Sequence, residues 1–212
     1  MTGLYPAMLD LRNARVLVVG GGAVAARKVE TLVESGGRPE IVAPELTPML
    51  AELVERLGLA WSARIYAAGD PRGYQLVIAA THRREVNSAV AREAREHGAW
   101  VNVADDPEAS TFHVPAAVRA GEVTVAVSTG GASPLLAARL RERIAAIVTP
   151  GLGRATERLR AVRAEVQARW PDEEERRRAF WFALITPEFL DCAIAGQDEE
   201  VDSRIEACLS QS

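Results

Sequence analysis

The sequence predicts an α/β fold: a doubly wound parallel sheet, then a small α+β segment, then a helical C-terminal part. Three observations predict it. The run Val16-Leu17-Val18-Val19 leads into Gly20-Gly21-Gly22 and then into a helical pattern through Lys28, the order of a buried parallel strand, a tight turn and a helix. Apolar runs then alternate with amphipathic stretches as far as Ser110, which is the rhythm of strand–helix–strand units. After Ser110 that rhythm stops, and beyond Gly151 helical spacing dominates.

The elements follow in order. Met1 to Ala14 is a lead-in. The first helix runs from the glycine turn to about Glu34, where Ser35-Gly36-Gly37 stops it. Glu40 to Ala43 reads as the second strand and Thr47 to Leu57 as an amphipathic helix. Trp61 to Tyr66 alternates as a strand does, and Gly69 to Gly73 is a turn cluster. Leu76 to Ala80 is a fully buried strand, Arg84 to His97 a helix closed by Gly98, and Trp100 to Ala104 a further strand. Thr111 to Ala116 is short and irregular, and Gly121 to Val127 is a strand. Ser133 and Pro134 read as the cap and first residue of a helix that continues to Val148. Thr149-Pro150-Gly151 marks a boundary. A helix from Leu152 to Val166 follows, Trp170-Pro171-Asp172 breaks it, and another helix carries Phe180, Trp181 and Phe182. The expected division is 1–112 for the nucleotide domain, 113–149 for a linking segment and 150–212 for the helical domain.

Composition narrows the function. The 212 residues are 48% hydrophobic, enough to bury a core in each of these parts. The net charge of −4 gives no electrostatic case for nucleic acid or an anionic membrane surface. The run Arg176-Arg177-Arg178 follows Glu173-Glu174-Glu175, which reads as a paired, solvated helix face. Lys28 is the single lysine among 25 basic residues. Cys192 and Cys208 lack metal-ligand spacing and read as small buried hydrophobes, and no metal site is expected. Neither a signal peptide nor a membrane span is expected, so the cytoplasm is the expected location.

The chemistry-bearing stretch is Gly20-x-Gly22-x-x-Ala25, a dinucleotide fingerprint of Rossmann type ending in alanine. Gly20 permits the turn, Gly22 lets the backbone approach a pyrophosphate, and Ala25 allows close packing of helix on strand. Ala23 and Val24 then begin the helix whose free N–H groups face the phosphates. After the second strand come Pro44 and Glu45. Glu45 is either the acid that holds the ribose hydroxyls or a first-turn acid of the next helix. No arginine follows that strand directly, which favours NAD over NADP. The residues just past the strand ends, Gly20, Pro44, Thr81 and Asp105, should collect along one sheet edge, where such folds bind ligands.

Three stretches in unbroken order resemble one family: Leu9-Asp-Leu-Arg with the Gly20 turn; Ala79-Ala-Thr with Val86-Asn87; and Val101-Asn-Val-Ala-Asp105 through Phe112-x-x-Pro115 to Ser128-Thr-Gly-Gly-x-Ser-Pro134. The chain resembles precorrin-2 dehydrogenase, the dehydrogenase/ferrochelatase module of siroheme synthase, over about residues 5–148. The resemblance implies NAD-dependent oxidation of precorrin-2 to sirohydrochlorin in siroheme biosynthesis, with Fe²⁺ insertion an additional step in some members. It implies a homodimer built through the segment after the nucleotide domain. It places the family's catalytic aspartate on Asp105 and its cofactor contacts around Gly22, Ala23, Val24, Pro44 and Glu45, with the Thr81 loop nearby. A regulatory phosphoserine of some bifunctional members falls on Thr129, a departure from that pattern. The methyltransferase domain of the longest members is not in this sequence.

On this reading Asp105 is a general base for the proton that leaves the ring; without the resemblance it reads as a turn acid before Asp106-Pro107. Ser128, Thr129 and Gly130 offer donors at a helix start for substrate carboxylates, or form an ordinary strand-to-helix turn. His113 is a further candidate for handling substrate. Two other classes compete: a non-catalytic NAD-sensing module, and a dedicated metal chelatase.

Overall fold

The computed structural model describes residues 3–210. The chain divides into two compact units, one ending at Val114 and the other beginning at Pro115.

The first unit is a five-stranded parallel sheet of order β3-β2-β1-β4-β5. Its strands are β1 (Val16–Val19), β2 (Glu40–Val42), β3 (Trp61–Ser62), β4 (Leu76–Ala79) and β5 (Trp100–Val103). Side chains alternate between the faces. Val16, Val18, Ile41 and Ile78 pack against α1 (Ala23–Glu34) and α2 (Pro48–Leu57) through Ala25, Val29 and Leu50. Leu17, Val19, Val77 and Val101 pack on the other face against Val90, Ala91 and Ala94 of α3 (Arg84–Glu96). Both faces are covered, which is why β1 and β4 are uninterrupted apolar runs. Each fully buried Val or Leu contributes about 1.5–3 kcal/mol.

The order places β1 between β2 and β4. The chain leaves β1 toward one edge and returns on the other side of it, so the strand order reverses at the carboxyl ends of β1 and β4. Ligands of open parallel sheets bind in that crevice. The opposite end of the sheet is closed by structural contacts. Tyr74 donates to Glu40 Oε2 at 2.8 Å, and the Arg15 guanidinium lies 4.4 Å from the Tyr74 ring centre.

Two strands differ from the sequence reading. The expected strand at 61–66 pairs only over Trp61–Ser62. The backbone turns back at Ser62, whose carbonyl accepts from Arg64 N at 2.8 Å. Asp70 then gathers the following loop, accepting from the Arg64 guanidinium and from Ala67 N. Residues 116–120, assigned no strand beyond Ala116's irregular stretch, form β6 (Ala116–Ala120) antiparallel to β7 (Val123–Val127). The reason is the turn: Gly121 adopts φ 56° between the two strands, and such two-residue loops favour hairpins.

The second unit continues with α4 (Pro134–Ala145), α5 (Pro150–Arg169), α6 (Glu174–Leu184), α7 (Pro187–Ala195) and α8 (Asp198–Ser210). Ser133, Thr149 and Thr186 cap α4, α5 and α7 by accepting from Leu136 N, Leu152 N and Phe189 N. The helices close around Val162, Val166, Trp170, Phe180, Phe189 and Ile205. The two cysteines are half-buried thiols at the rim of this core rather than fully buried. Arg176 pairs with Glu173 at 3.1 Å, and Arg177 donates to the Trp170 and Pro171 carbonyls. No described helix is long and apolar enough to cross a membrane.

Candidate active site

The three glycines after β1 have three different surroundings. Gly20 has φ 134°, and a Cβ there would sit 2.3 Å from the Ala80 carbonyl oxygen. A Cβ on Gly21 would sit 1.9 Å from the Glu45 carbonyl oxygen, while the Gly21 carbonyl accepts from Thr47 N at 2.9 Å. These two glycines let the turn wedge between the ends of β4 and β2. Gly22 is the N-cap of α1, and a Cβ there would meet nothing within 4 Å. α1 has no side-chain cap and no acidic residue in its first turn. Its N-terminal N–H groups, with Gly22, Ala23 and Val24 around them, therefore form an open seat with a positive dipole end. That is the environment a pyrophosphate requires, so the residues fit a dinucleotide.

Around this seat lie the other expected cofactor residues. Pro44 and Glu45 are exposed in the loop after β2. Glu45 precedes α2, whose N-cap is Thr47, so it lies outside that helix's first turn. Thr81 follows β4 and is half-buried. Its amide and hydroxyl donate to Asn87 Oδ1 at 3.1 and 2.7 Å, and its carbonyl accepts from Asn87 Nδ2 at 3.0 Å. Asn87, buried on α3, thus holds the Thr81 loop against the Gly20 turn. It was quoted in the sequence motif but given no role; an amide on the inward, otherwise apolar face of a helix is the signal that could have found it.

Asp105 lies two residues past the end of β5. It is the one non-glycine described residue with positive φ, at 61°. Asp and Asn tolerate this conformation better than other side chains. The next residue accounts for it. Asp106 donates its amide back to the Val103 carbonyl at 3.3 Å and accepts from Ala109 N at 3.0 Å, and Ser110 donates to the Asp106 carbonyl at 2.9 Å. Asp106 binds the loop, which leaves Asp105 exposed on its outer side.

Asp105 lines a cleft of about 220 Å³ together with Val24, Lys28, Asn102, Asp106 and His113. Val24 and Lys28 are one turn apart on α1, and Val24 belongs to the first turn of that helix, so the cleft adjoins the pyrophosphate seat. His113, expected from sequence, is placed here beside Asp105. Asn102 and Lys28 were not expected. Asn102 is a buried amide inside a strand of valines and donates to the Phe112 carbonyl at 3.1 Å, fixing the segment that presents His113. Burial pushes the Lys28 ammonium below its ordinary range; the Arg27 charge adds to this and the Asp105 carboxylate opposes it.

Ser128, Thr129 and Gly130 belong to the second unit, between β7 and α4. Thr129 Oγ1 is engaged within the turn, donating to the Ser133 carbonyl and accepting from Ser133 N at 3.1 and 3.2 Å. The exposed Ser128 hydroxyl accepts from Gly130 N at 3.2 Å. Among the described residues, no group of three or more His, Cys, Asp or Glu is placed to hold a metal ion.

The fold and the glycine seat define an NAD-binding Rossmann protein. Residues 7–116 match the family described as putative NAD(P)-binding, and residues 121–147 match the family described as sirohaem biosynthesis protein, central. The chain is 40% identical over 207 residues to siroheme synthase of Chromobacterium violaceum, covering 96% of this chain and 44% of the relative. It is 39% identical over 205 residues to siroheme synthase of Azotobacter vinelandii, with 97% and 44% covered. A solved structure titled SirC, precorrin-2 dehydrogenase, superposes with a TM-score of 0.78 at 25% identity, covering 96% of this chain and all of that one. The chain belongs to the putative NAD(P)-binding family, and the resemblance to the siroheme synthase module read from its motifs is borne out. It spans less than half the length of the siroheme synthases it matches.

Proposed function

We propose that this chain is an NAD-dependent precorrin-2 dehydrogenase that forms sirohydrochlorin in siroheme biosynthesis. The observation that carries the reading is the juxtaposition within the first unit. The open helix end at Gly22 and the exposed Asp105 share the carboxyl edge of one sheet, and Val24 in the first turn of α1 lines the Asp105 cleft.

NAD⁺, when bound, supplies the hydride acceptor. Gly20 and Gly21 shape the turn, and the N–H groups following Gly22 hold the pyrophosphate. Glu45 is the ribose partner, and the Thr81 loop, fixed by Asn87, flanks the nicotinamide end. Oxidation of the ring removes one hydride and one proton. The Asp105 carboxylate takes the proton and returns it to solvent through its exposed side. Should Fe²⁺ enter as a second substrate, two pyrrole N–H protons leave, and the same carboxylate is available to them. His113, Ser128, Thr129 and Gly130 are assigned to the substrate, whose rim carries eight carboxylates.

Residues 113–149 are proposed to join two copies into a homodimer. Two observations support this. Among the described residues each strand of the β6–β7 ribbon has one partner, and such unpaired edges and unpartnered apolar faces are sites of association. Leu135, Leu136 and Ile147 are each more than half exposed beside it. The proposed division is 1–112 for the nucleotide domain and 150–212 for the helical domain, and the proposed location is the cytoplasm.

The test is anaerobic absorbance spectroscopy of the full chain with precorrin-2, with and without NAD⁺. NAD⁺-dependent appearance of the sirohydrochlorin spectrum is expected. Asp105→Asn, which tolerates the same backbone conformation, should lower the rate by about 10²–10⁴ with NAD⁺ affinity retained. Absence of any NAD⁺-dependent change would overturn the reading and leave the NAD-sensing module or the dedicated chelatase. Adding Fe²⁺ to supplied sirohydrochlorin separates those two.

A further inference from the structure

Twenty-five residues of this chain are basic, and Lys28 alone is lysine. It lies on α1, half-buried, and lines the Asp105 cleft. Most of the basic side chains sit on open surface, where charge costs little. Lys28 does not, and among the described residues it forms no hydrogen bond or ion pair. The Asp105 carboxylate favours this charge without forming an ion pair with it, so the three N–H donors of the half-buried ammonium are left for a partner group that enters the cleft.

The cleft states what that partner is. Its other charged groups are the carboxylates of Asp105 and Asp106, with the imidazole of His113. A ligand bearing many carboxylates is repelled by two of them, and Lys28 is the one lysine or arginine among the lining residues. Lysine is a compact point charge on a flexible stem. It therefore reaches a single carboxylate in a small cleft more readily than the wide arginine fork does. Lys28 lies one turn after Val24 on α1, and both line the cleft that holds Asp105.

We propose that Lys28 binds a peripheral carboxylate of the tetrapyrrole substrate, anchoring the ring so that its reacting edge lies against Asp105. The proposal rests on the dehydrogenase reading only for the identity of the tetrapyrrole; the anchoring itself requires no turnover.

The experiment is an anaerobic fluorescence titration of the full chain with metal-free sirohydrochlorin, which binds without being oxidised. Wild type, Lys28→Arg and Lys28→Met are compared, with NAD⁺ affinity measured in parallel. Lys28→Met should weaken sirohydrochlorin binding at least tenfold, Lys28→Arg should recover part of that loss, and NAD⁺ affinity should stay within twofold in all three. The salt dependence of binding should be shallower in Lys28→Met, a change that a merely structural lysine would not cause. Methionine keeps the apolar stem and removes the charge, so this variant should melt no lower than wild type. Sirohydrochlorin binding by Lys28→Met within twofold of wild type would overturn the proposal. So would an equal loss of NAD⁺ affinity, or no sirohydrochlorin binding by wild type. Lys28-dependent binding without NAD⁺-dependent oxidation of precorrin-2 would uphold the anchor and remove the dehydrogenase reading.

Discussion

Replacing Gly22 by aspartate should stabilise the protein while abolishing its NAD binding. Gly22 occupies the N-cap of α1 at φ −81°, ψ −176°, the extended conformation that capping side chains adopt. A Cβ there meets nothing within 4 Å, and α1 has neither a side-chain cap nor a first-turn acid. Glycine already serves as an N-cap, so the aspartate hydrogen bond gains only about a few tenths of a kcal/mol, and its charge at the positive end of the helix adds about 0.3–1 kcal/mol. The melting temperature should rise by roughly 2–4 °C per kcal/mol gained in a chain of this size. The same carboxylate stands in the pyrophosphate's seat. Two like charges at about 4 Å and an effective dielectric near 20 repel by about 4 kcal/mol, close to three orders of magnitude in affinity. Thermal melting and an NADH fluorescence titration read the two effects separately. Gly22→Asp binding NADH within tenfold of wild type would refute the placement of the pyrophosphate at this helix end. Gly21→Ala is the converse control. Its Cβ would lie 1.9 Å from a backbone oxygen, so it should lose about 1–3 kcal/mol of stability or more.

Three further outcomes follow from the same contacts. Asn87→Ala leaves the Thr81 amide and carbonyl without their side-chain partner; it should cost about 1–3 kcal/mol in a denaturant melt and weaken NAD⁺ binding through a loosened Thr81 loop. Burial, then the hydrogen bond to Glu40, raises the Tyr74 hydroxyl above its ordinary pKa. Its contribution to stability is therefore complete below about pH 10 and is lost as pH climbs through the raised value. Denaturant melts at pH 8 and 11 should show a fall that Tyr74→Phe reduces, the remainder belonging to Tyr66, whose hydroxyl burial also raises. Leu136→Asp, on the exposed face of α4, should give a monomer in sedimentation analysis with its secondary structure intact, whereas an unchanged sedimentation coefficient would remove the proposed dimer face.

The alternating rhythm of the first 110 residues was enough to read a parallel doubly wound sheet, because its central strands are buried on both faces and each helix on one, and both requirements write themselves into local periodicity; the strand order came from the structure. Gly20, Gly22 and Ala25 could be read as a nucleotide turn for the same reason: a tight turn followed by a helix start is a local event. The caps at Ser133 and Thr149 are local as well, and so is the break at Trp170. What the sequence could not set out was anything decided by contacts between elements or inside loops, which leave no periodic trace. The need for glycine at position 21 comes from the Glu45 carbonyl, 24 residues away. The shortness of β3 comes from Asp70 drawing Arg64 and Ala67 into a loop, which no alternation pattern reveals. β6 exists because a weakly patterned segment finds β7 across the Gly121 turn. Asn87 and Asn102 were legible as letters in a motif, but their work is to satisfy loop backbone groups at Thr81 and Phe112. Lys28 was visible as the one lysine, and only the packing of α1 against the loop after β5 puts it in the cleft with Asp105. Helices, turns and caps are fixed by neighbours within a few residues, so sequence determines them; a site is an agreement between strand ends, and only the closed sheet brings those ends together.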